Sequence, residues 1–272
     1  MDLTLAFVTD IHVGPEARFE GKLRKLSHRA PELLAGFVEH MNTSVRPDAV
    51  IHLGDAIEDE SAAVDEQRYR LVVDTLAKLA CPVFHVAGNH DTVHLSEPQL
   101  LEIWGRSGGA THYAVDLGGY RLVALHTHEI KDRRVFMDEP QLAWLEAELC
   151  KPGPPVIVVM HHSAADQVLV GNRWFEGRAH ICLLQERKRL REIIARSGRV
   201  LCIVNGHLHW NQLTLHDELP YVTVQSLIEN LDEDAPGRPA NAHALLSVTH
   251  SRLLVQVFGA ETARYQLTRQ RS

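Results

Sequence analysis

The feature that most constrains the fold is a series of short apolar segments, each of which is followed by Asp, Asn or His. Five segments are rich in Val, Ile, Leu and Ala, as buried strands are: residues 3–8, 49–53, 82–87, 155–160 and 200–204. Helical patterns with apolar residues at every third or fourth position lie between several of them: residues 31–45, 65–79, 98–105, 139–149 and 183–197. Strands that alternate with helices predict an α/β fold with a largely parallel core.

Two further patterns predict antiparallel additions to this core. Residues 111–125 resemble a hairpin with Gly118-Gly119 at the turn, and residues 242–258 resemble a second hairpin. The chain of 272 residues contains no internal repeat and no linker, and its length suits one large domain. We therefore predict a single domain over residues 1–272, in which residues from about 227 to 272 add strands and serve as a cap or as a homodimer element.

Composition excludes several classes of protein. The net charge of −7 and the lack of a basic track argue against a general nucleic-acid binder. No apolar run approaches the roughly 18 residues that a membrane-spanning helix requires. The N-terminus lacks the basic region of a secretory signal. We expect a cytoplasmic protein that associates neither with membranes nor, in general, with nucleic acid.

Polar residues directly follow each of the five segments. They are expected to lie near one another, because the carboxyl ends of the strands meet at one edge of an open α/β sheet, where ligands bind. Short motifs such as Asp-x-His arise by chance. In a chain of this composition, however, the run Gly88-Asn89-His90-Asp91 is expected by chance only about 0.002 times. The series therefore predicts a functional site at a common sheet edge. Its members, in chain order, are Asp10, His12, Asp55, Asn89, His90, Asp91, His161, His207 and His209.

These residue types favour a pair of divalent metal ions. Carboxylate and imidazole without thiolate suit Mn, Fe, Zn or Co rather than a structural zinc–sulfur site. Histidine, the commonest metal ligand, is present 18 times against 17 glycines. A carboxylate can bridge two ions, and ions about 3.5–4 Å apart can share a hydroxide that attacks phosphorus in line. The predicted substrate is therefore a phosphate ester.

The motif series resembles that of the calcineurin-like metallophosphoesterase superfamily: Asp10-x-His12, Gly54-Asp55, Gly88-Asn89-His90-Asp91, His161 and Gly206-His207-x-His209. The resemblance spans residues 3–226. The segment Gln141-Leu142-Ala143-Trp144-Leu145 is also similar to one in the class III cyclic nucleotide phosphodiesterase branch. The resemblance implies a four-layer αββα sandwich in which helices flank two mixed β-sheets.

The resemblance also implies a role for each matching residue. Asp55 would bridge two metal ions, while His90 would remain unliganded and would stabilise the transition state or protonate the leaving oxygen. Asp91 would orient His90. The first ion would be held by Asp10, His12 and His209, and the second by Asn89, His161 and His207.

Some residues near these motifs depart from the family pattern. Relatives place an aspartate and a serine where this chain has His126-Thr127-His128, and we expect this difference to reshape the substrate pocket. The two histidines themselves are interpreted as strand-end packing or surface residues. The pattern leaves His162 either in the pocket wall or as a neighbour of a ligand. Arg173 and Trp174, in a predicted loop, are candidates for substrate contacts.

The sequence thus predicts a dinuclear metal-dependent phosphodiesterase that acts on a cyclic nucleotide or a small diester. A phosphomonoesterase acting on a small phosphorylated metabolite or nucleotide is the alternative, because the same core hydrolyses both classes. A noncatalytic scaffold is a remote alternative, since such a protein is expected to lose ligands or His90, and all of them are present.

Overall fold

The computed structural model describes residues 2–232 and 234–268, so Met1, Glu233 and residues 269–272 of the predicted domain lie outside the described residues. Five α-helices are described: α1 (Ala30–His40), α2 (Ala62–Leu76), α3 (Glu97–Ile103), α4 (Glu139–Cys150) and α5 (Arg187–Ser197). A π-helical turn, Met41–Val45, continues α1. Short 3₁₀ segments lie at Ser27–Arg29, His90–Thr92 and Ala179–Ile181.

Six strands form the first sheet: β1 (Leu3–Val8), β2 (Ala49–His52), β3 (Val83–His85), β12 (His243–Val248), β13 (Arg252–Phe258) and β14 (Ala263–Thr268). Their order across the sheet is β14-β13-β12-β1-β2-β3. The three strands nearest the N-terminus, β1, β2 and β3, pair in parallel, and the C-terminal strands pair antiparallel.

Six more strands form the second sheet: β4 (Tyr113–Leu117), β5 (Tyr120–Ala124), β8 (Val156–Val159), β9 (Val200–Asn205), β10 (Gln212–His216) and β11 (Leu219–Thr223). Their order across the sheet is β10-β11-β9-β8-β5-β4. The central strands β5, β8, β9 and β11 are parallel, while β4 and β10 pair antiparallel at the two edges. A small separate hairpin contains β6 (His128–Ile130) and β7 (Arg134–Phe136).

The side-chain alternation of the parallel strands explains the layering. In β1, Leu5 and Phe7 join the core between the two sheets, while Ala6 and Val8 face α1 and α2. In β8, Ile157 and Val159 face the first sheet, and Val156 and Val158 face α4 and α5. Because successive side chains of a strand point to opposite faces, such strands are buried on both sides. Helices therefore cover both outer faces, and the predicted architecture of two mixed sheets flanked by helices is confirmed.

Some element bounds differ from the sequence prediction. Helix α5 begins at Arg187 rather than near residue 183. Leu184 is buried in an extended segment, where its N–H donates to the carbonyl of Ser163 at 2.8 Å. The apolar side chain of Leu184 fits the helical spacing, and for this reason the sequence pattern places the start of the helix too early. Strand β14 was not predicted, because its alternating, half-exposed residues carry little apolar signal. None of the helices in the described part of the chain is both long and apolar enough to cross a membrane.

Candidate metal centre

The nine polar residues singled out in the sequence lie together, but at the ends of two sheets rather than at one sheet edge. Asp10, Asp55 and Asn89 follow β1, β2 and β3 of the first sheet, and His161 and His207 follow β8 and β9 of the second. The His207 N–H donates to Asp10 Oδ2 at 2.9 Å, which joins the loops of the two sheets directly. The expectation of a common edge is corrected accordingly: the two sheets pack face to face, and their carboxyl ends share one site.

The backbone of this site is strained. Five of the seven proposed ligands have positive φ angles of 46–66°: Asp10, His12, Asp55, His207 and His209. Residues other than glycine adopt this region rarely, and such conformations persist where the surrounding structure enforces them, as it does at functional sites. The strained backbone therefore indicates that these loops are held in a conformation that directs the ligand side chains into the site.

Two glycines allow the loops to approach one another. A Cβ atom at Gly88 would lie 2.1 Å from Asp55 Oδ1, and a Cβ at Gly206 would lie 1.9 Å from Thr9 Oγ1. Both distances are far below van der Waals contact. Only a residue without a side chain lets these loops hold Asp55 and Asp10 in place.

Gly206→Ala is therefore expected to destabilise the protein by about 1–3 kcal/mol, as overpacking typically does. Chemical denaturation of the metal-free protein measures this change. Gly36→Ala is the matched control: Gly36 lies in α1 with no atom near the added Cβ, and alanine favours a helix by about 0.5–1 kcal/mol. Equal stability of the Gly206→Ala variant and the wild type would contradict the close approach.

One donor group contains Asp10, His12 and His209. Each residue offers a ligating atom, and these three atoms lie within 4.8 Å of one another. His12 Nε2 is 3.3 Å from His209 Nε2, and His209 Nε2 is 3.4 Å from Asp10 Oδ1. Three donor atoms thus converge on one point, as the ligands of a metal ion do.

A second donor group adjoins the first. His161 Nε2 lies 3.1 Å from Asn89 Oδ1 and 3.2 Å from His207 Nδ1. Asp55 Oδ2 lies between the groups, 3.6 Å from His12 Nε2 and 3.3 Å from His161 Nε2. His162, which the sequence left open, is buried and belongs to a triplet with His161 and His207.

The residues present fit metal ions. Among the described residues, Asp10 Oδ1, the carboxylate oxygen of the first donor group, is buried without a hydrogen-bond partner. Buried polar atoms are normally paired, so such an orphan atom requires an explanation. Nitrogen and carboxylate donors without sulfur suit Mn, Fe, Co or Zn. A cation held between this oxygen and the nearby imidazole nitrogens would satisfy the unpaired atom.

The electrostatics of the site also favour cations. Burial raises the pKa of Asp55, but the charges of His161 and His90 outweigh it, and the pKa lies well below the ordinary value. Burial lowers the pKa of His161, but Asp55 raises it to about 9. Burial likewise lowers the pKa of His209, and Asp10 raises it to about 9. In the metal-free protein, the protonated imidazoles of His161 and His209 thus neutralise the carboxylates of Asp55 and Asp10. A bound metal ion would take over this role.

Residues 3–211 match the model of the family described as calcineurin-like phosphoesterase. The chain belongs to this family. As a member it is a metal-dependent phosphoester hydrolase. A probable cyclic nucleotide phosphodiesterase of Synechococcus sp. is 30% identical over 213 residues, which cover 77% of this chain and 74% of that protein.

Two further comparisons extend this result. A probable glycerophosphodiester phosphodiesterase of Arcobacter nitrofigilis is 25% identical over 223 residues, which cover 80% of this chain and 76% of that protein. The solved structure of a dimetal phosphatase from Danio rerio has a TM-score of 0.75 at 17% identity, covering 96% of this chain and 98% of that one. At this identity the structural match shows that the fold is shared.

Outer residues of the phosphoesterase site fix the orientation of two proposed ligands. His161 Nδ1 donates to the Leu53 carbonyl at 2.9 Å, so its Nε2 faces the site. His209 Nδ1 donates to Glu229 Oε2 at 2.8 Å with the same consequence. Glu229 is buried and also accepts from Trp174 Nε1 at 3.1 Å. The sequence did not reveal the role of Glu229, because only folding brings it to His209.

Glu229→Gln is expected to weaken metal binding by about 10-fold or more, because outer partners of ligating histidines orient the ring and raise its basicity. Titration of the metal-stripped protein with Co²⁺ measures this affinity. Glu32→Gln, at an exposed position of α1, is the control. An unchanged affinity would show that Glu229 does not support the ligand.

The structure corrects one expected contact. Asp91 was expected to orient His90, but Asp59, rather than Asp91, accepts a hydrogen bond from His90 Nδ1. The Asp91 carboxylate instead accepts from the backbone N–H groups of Asp55 and Gly88 at 2.9 Å and of Ala56 at 2.8 Å. Asp91 therefore holds the two loops together. Asp59, four residues after Asp55 in the sequence, thus supplies the partner of His90.

Two other residues singled out in the sequence lie beside the site. Trp174 lines a cavity over the proposed ligands. Arg173 instead donates to the Asn230 carbonyl at 2.7 Å and lies 3.6 Å from Glu229. The segment after Ser226 thus reaches the site through Glu229, and the Ser226 hydroxyl donates to the Asp10 carbonyl at 2.8 Å.

Proposed function

We propose that the protein is a phosphodiesterase that uses two divalent metal ions and cleaves a cyclic nucleotide or another small diester. The observation that carries the proposal is the position of Asp55 Oδ2, 3.6 Å from His12 Nε2 and 3.3 Å from His161 Nε2. One carboxylate oxygen adjoins a nitrogen of each donor group, which supports a bridging role. The single-domain assignment for residues 1–272 is part of this proposal.

When bound, the two ions supply Lewis acidity, activation of water and stabilisation of charge at phosphorus. Asp55 would contact both ions. His90 lines the cavity, and Asp59 occupies its Nδ1, so Nε2 is the ring nitrogen left to contact substrate. A proton held there can pass to the leaving oxygen. The first ion would be held by Asp10, His12 and His209, and the second by Asn89, His161 and His207.

The cavity over the site suits a substrate with a flat or apolar organic substituent on its phosphate group. It has a volume of about 280 Å³, and Phe19, Trp174 and Phe175 form an aromatic wall beside His207 and His209. Such a wall can pack against a flat or apolar substituent. A phosphomonoester offers only one substituent for this surface, whereas a diester offers two.

The charge of the cavity suits a phosphate ester. Its lining has one more acidic than basic residue: Asp55, Asp59, Glu129 and Asp132 against Lys25, Lys131 and Arg178. Two divalent cations would outweigh this single negative charge and would leave the cavity positive, which attracts the anionic phosphate group of a diester or a monoester. The preference for a diester therefore rests on the aromatic wall, and the names of the two sequence relatives, both phosphodiesterases, agree with it.

The test compares hydrolysis of bis(p-nitrophenyl) phosphate with that of p-nitrophenyl phosphate. Metal-stripped protein is assayed after restoration of Mn²⁺, Fe²⁺, Co²⁺ or Zn²⁺ in turn. We expect kcat/KM for the diester to exceed that for the monoester by at least about tenfold, or roughly 1.4 kcal/mol. A preference for the monoester would overturn the proposal and favour a phosphomonoesterase. Cyclic AMP and glycerophosphocholine then distinguish the two diester classes.

A further inference from the structure

A second cluster of metal-ligating side chains lies outside the phosphoesterase site. Glu97 at the start of α3, His126 in the segment after β5 and His128 at the start of β6 each offer a ligating atom. These atoms lie within 4.8 Å of one another. The two imidazole rings are 4.3 Å apart between centroids, and Glu97 Oε1 is 3.7 Å from His126 Nδ1. None of the three residues lines the cavity over the dinuclear site.

His126 is rigidly held. Its side chain is buried, and Gln141 fixes its backbone by accepting from its N–H at 2.8 Å and donating to its carbonyl at 2.7 Å. Thr111 Oγ1 donates to Glu97 Oε2 at 2.9 Å and lies 2.8 Å from His126 Nδ1. Because the hydroxyl proton is committed to Glu97, we infer that Nδ1 carries the proton and that Thr111 accepts it. The 3.7 Å distance between Glu97 Oε1 and Nδ1 is thus a contact on the protonated side of the ring, and an ion at Nε2 requires the exposed Glu97 side chain to turn toward it.

This tautomer leaves a lone pair on His126 Nε2. Within the described part of the chain, that atom is buried and has no hydrogen-bond partner. Burial lowers the pKa of His126 to about 3, so the ring is neutral near pH 7. A neutral imidazole whose other nitrogen donates to a fixed acceptor is the usual state of a metal ligand.

The other two residues give the cluster access to solvent. The Glu97 side chain is 47% exposed, and His128 is half-buried against Phe136, with ring centroids 5.2 Å apart. Thr127, between the two histidines, contacts His162 Nδ1 at 2.7 Å beside the dinuclear site. An ion could therefore enter from solvent on the side of Glu97 and His128 without passing through the substrate cavity.

We propose that Glu97, His126 and His128 form a third, mononuclear site for a divalent transition-metal ion of the Zn²⁺ class. Two imidazoles and one carboxylate are a known zinc ligand set that leaves a coordination position open to water. Imidazole ligands select Zn, Ni or Cu over Mg or Ca. The ion would tie the start of α3 to the segment after β5. The two histidines were interpreted from sequence as packing residues, because an HxH pair alone carries no such information.

The test measures bound Zn²⁺ by elemental analysis after equilibration of the full chain with a buffered Zn²⁺ solution. His128→Asn and Glu97→Gln change accessible residues, whereas a change at buried His126 risks misfolding. We expect each variant to bind one ion fewer per chain than the wild type, while Mn²⁺-supported diester hydrolysis stays within about twofold. His112→Asn is the control, because His112 packs against Trp144 nearby and is not in the triplet.

The result does not depend on how many ions the dinuclear site holds, because each variant is compared with the wild type in the number of Zn²⁺ ions bound per chain. Equal Zn²⁺ content in the wild type and His128→Asn would overturn the proposal. Loss of an ion in His112→Asn with none lost in the two ligand variants would also overturn it. Circular dichroism of each variant confirms that the fold is retained.

Discussion

Asp55→Asn is expected to reduce kcat/KM for the preferred diester by at least about 10³-fold, the equivalent of several kcal/mol of lost charge stabilisation. Asp55 Oδ2 adjoins both donor groups, and Asp55 Oδ1 accepts from the His90 N–H at 2.9 Å. An amide can offer one neutral oxygen but cannot bridge two cations as a carboxylate does. We therefore expect weaker binding of both ions rather than of one.

Steady-state kinetics and metal analysis of the same preparations measure these effects. Asp74→Asn, at an exposed position of α2, removes a carboxylate elsewhere and is expected to match the wild type. Retention of both ions with wild-type activity in Asp55→Asn would show that the carboxylate does not bridge. Loss of one ion alone would assign Asp55 to a single donor group.

His90→Ala is expected to lower kcat by about 10²–10⁴-fold while metal content stays unchanged, as loss of a general acid does. His90 lines the cavity, and its Nδ1 is held by Asp59. Asp59→Asn is expected to lower kcat less than His90→Ala, because the ring remains but loses its anionic partner. Both effects should appear in kcat for diester hydrolysis at saturating metal.

His94→Ala is the matched control for His90→Ala. His94 lies on the same segment at an exposed position, with its Nδ1 2.8 Å from Asp65 Oδ2. We expect near wild-type kcat for this variant. If His90→Ala loses a metal ion instead of turnover alone, His90 is a ligand and the proposed acid role is wrong.

The architecture could be predicted because its signals are local. Buried parallel strands such as β1 and β8 are continuous apolar runs, and each is followed directly by polar residues. Parallel strands deliver their carboxyl ends to one side of a sheet, so chain order alone placed Asp10 near Asp55. Strand β14 gave no such signal, because its side chains alternate between half-buried and exposed.

The partners of the site residues could not be predicted, because they depend on contacts between loops of the two sheets. Asp91 is next to His90 in sequence, yet its carboxylate is occupied by backbone N–H groups of the Asp55 loop. Asp59 reaches His90 from another loop, and Glu229 reaches His209 from the segment after β11. Residue types at strand ends therefore predict which groups meet, but not which group orients another.

Anomalous diffraction from crystals grown with Mn²⁺ tests the central claim most directly. The account predicts two peaks about 3.5–4 Å apart, with Asp55 in contact with both. One peak should lie beside Asp10, His12 and His209, and the other beside Asn89, His161 and His207. A single peak at this site, or two peaks that Asp55 does not join, would contradict a dinuclear centre.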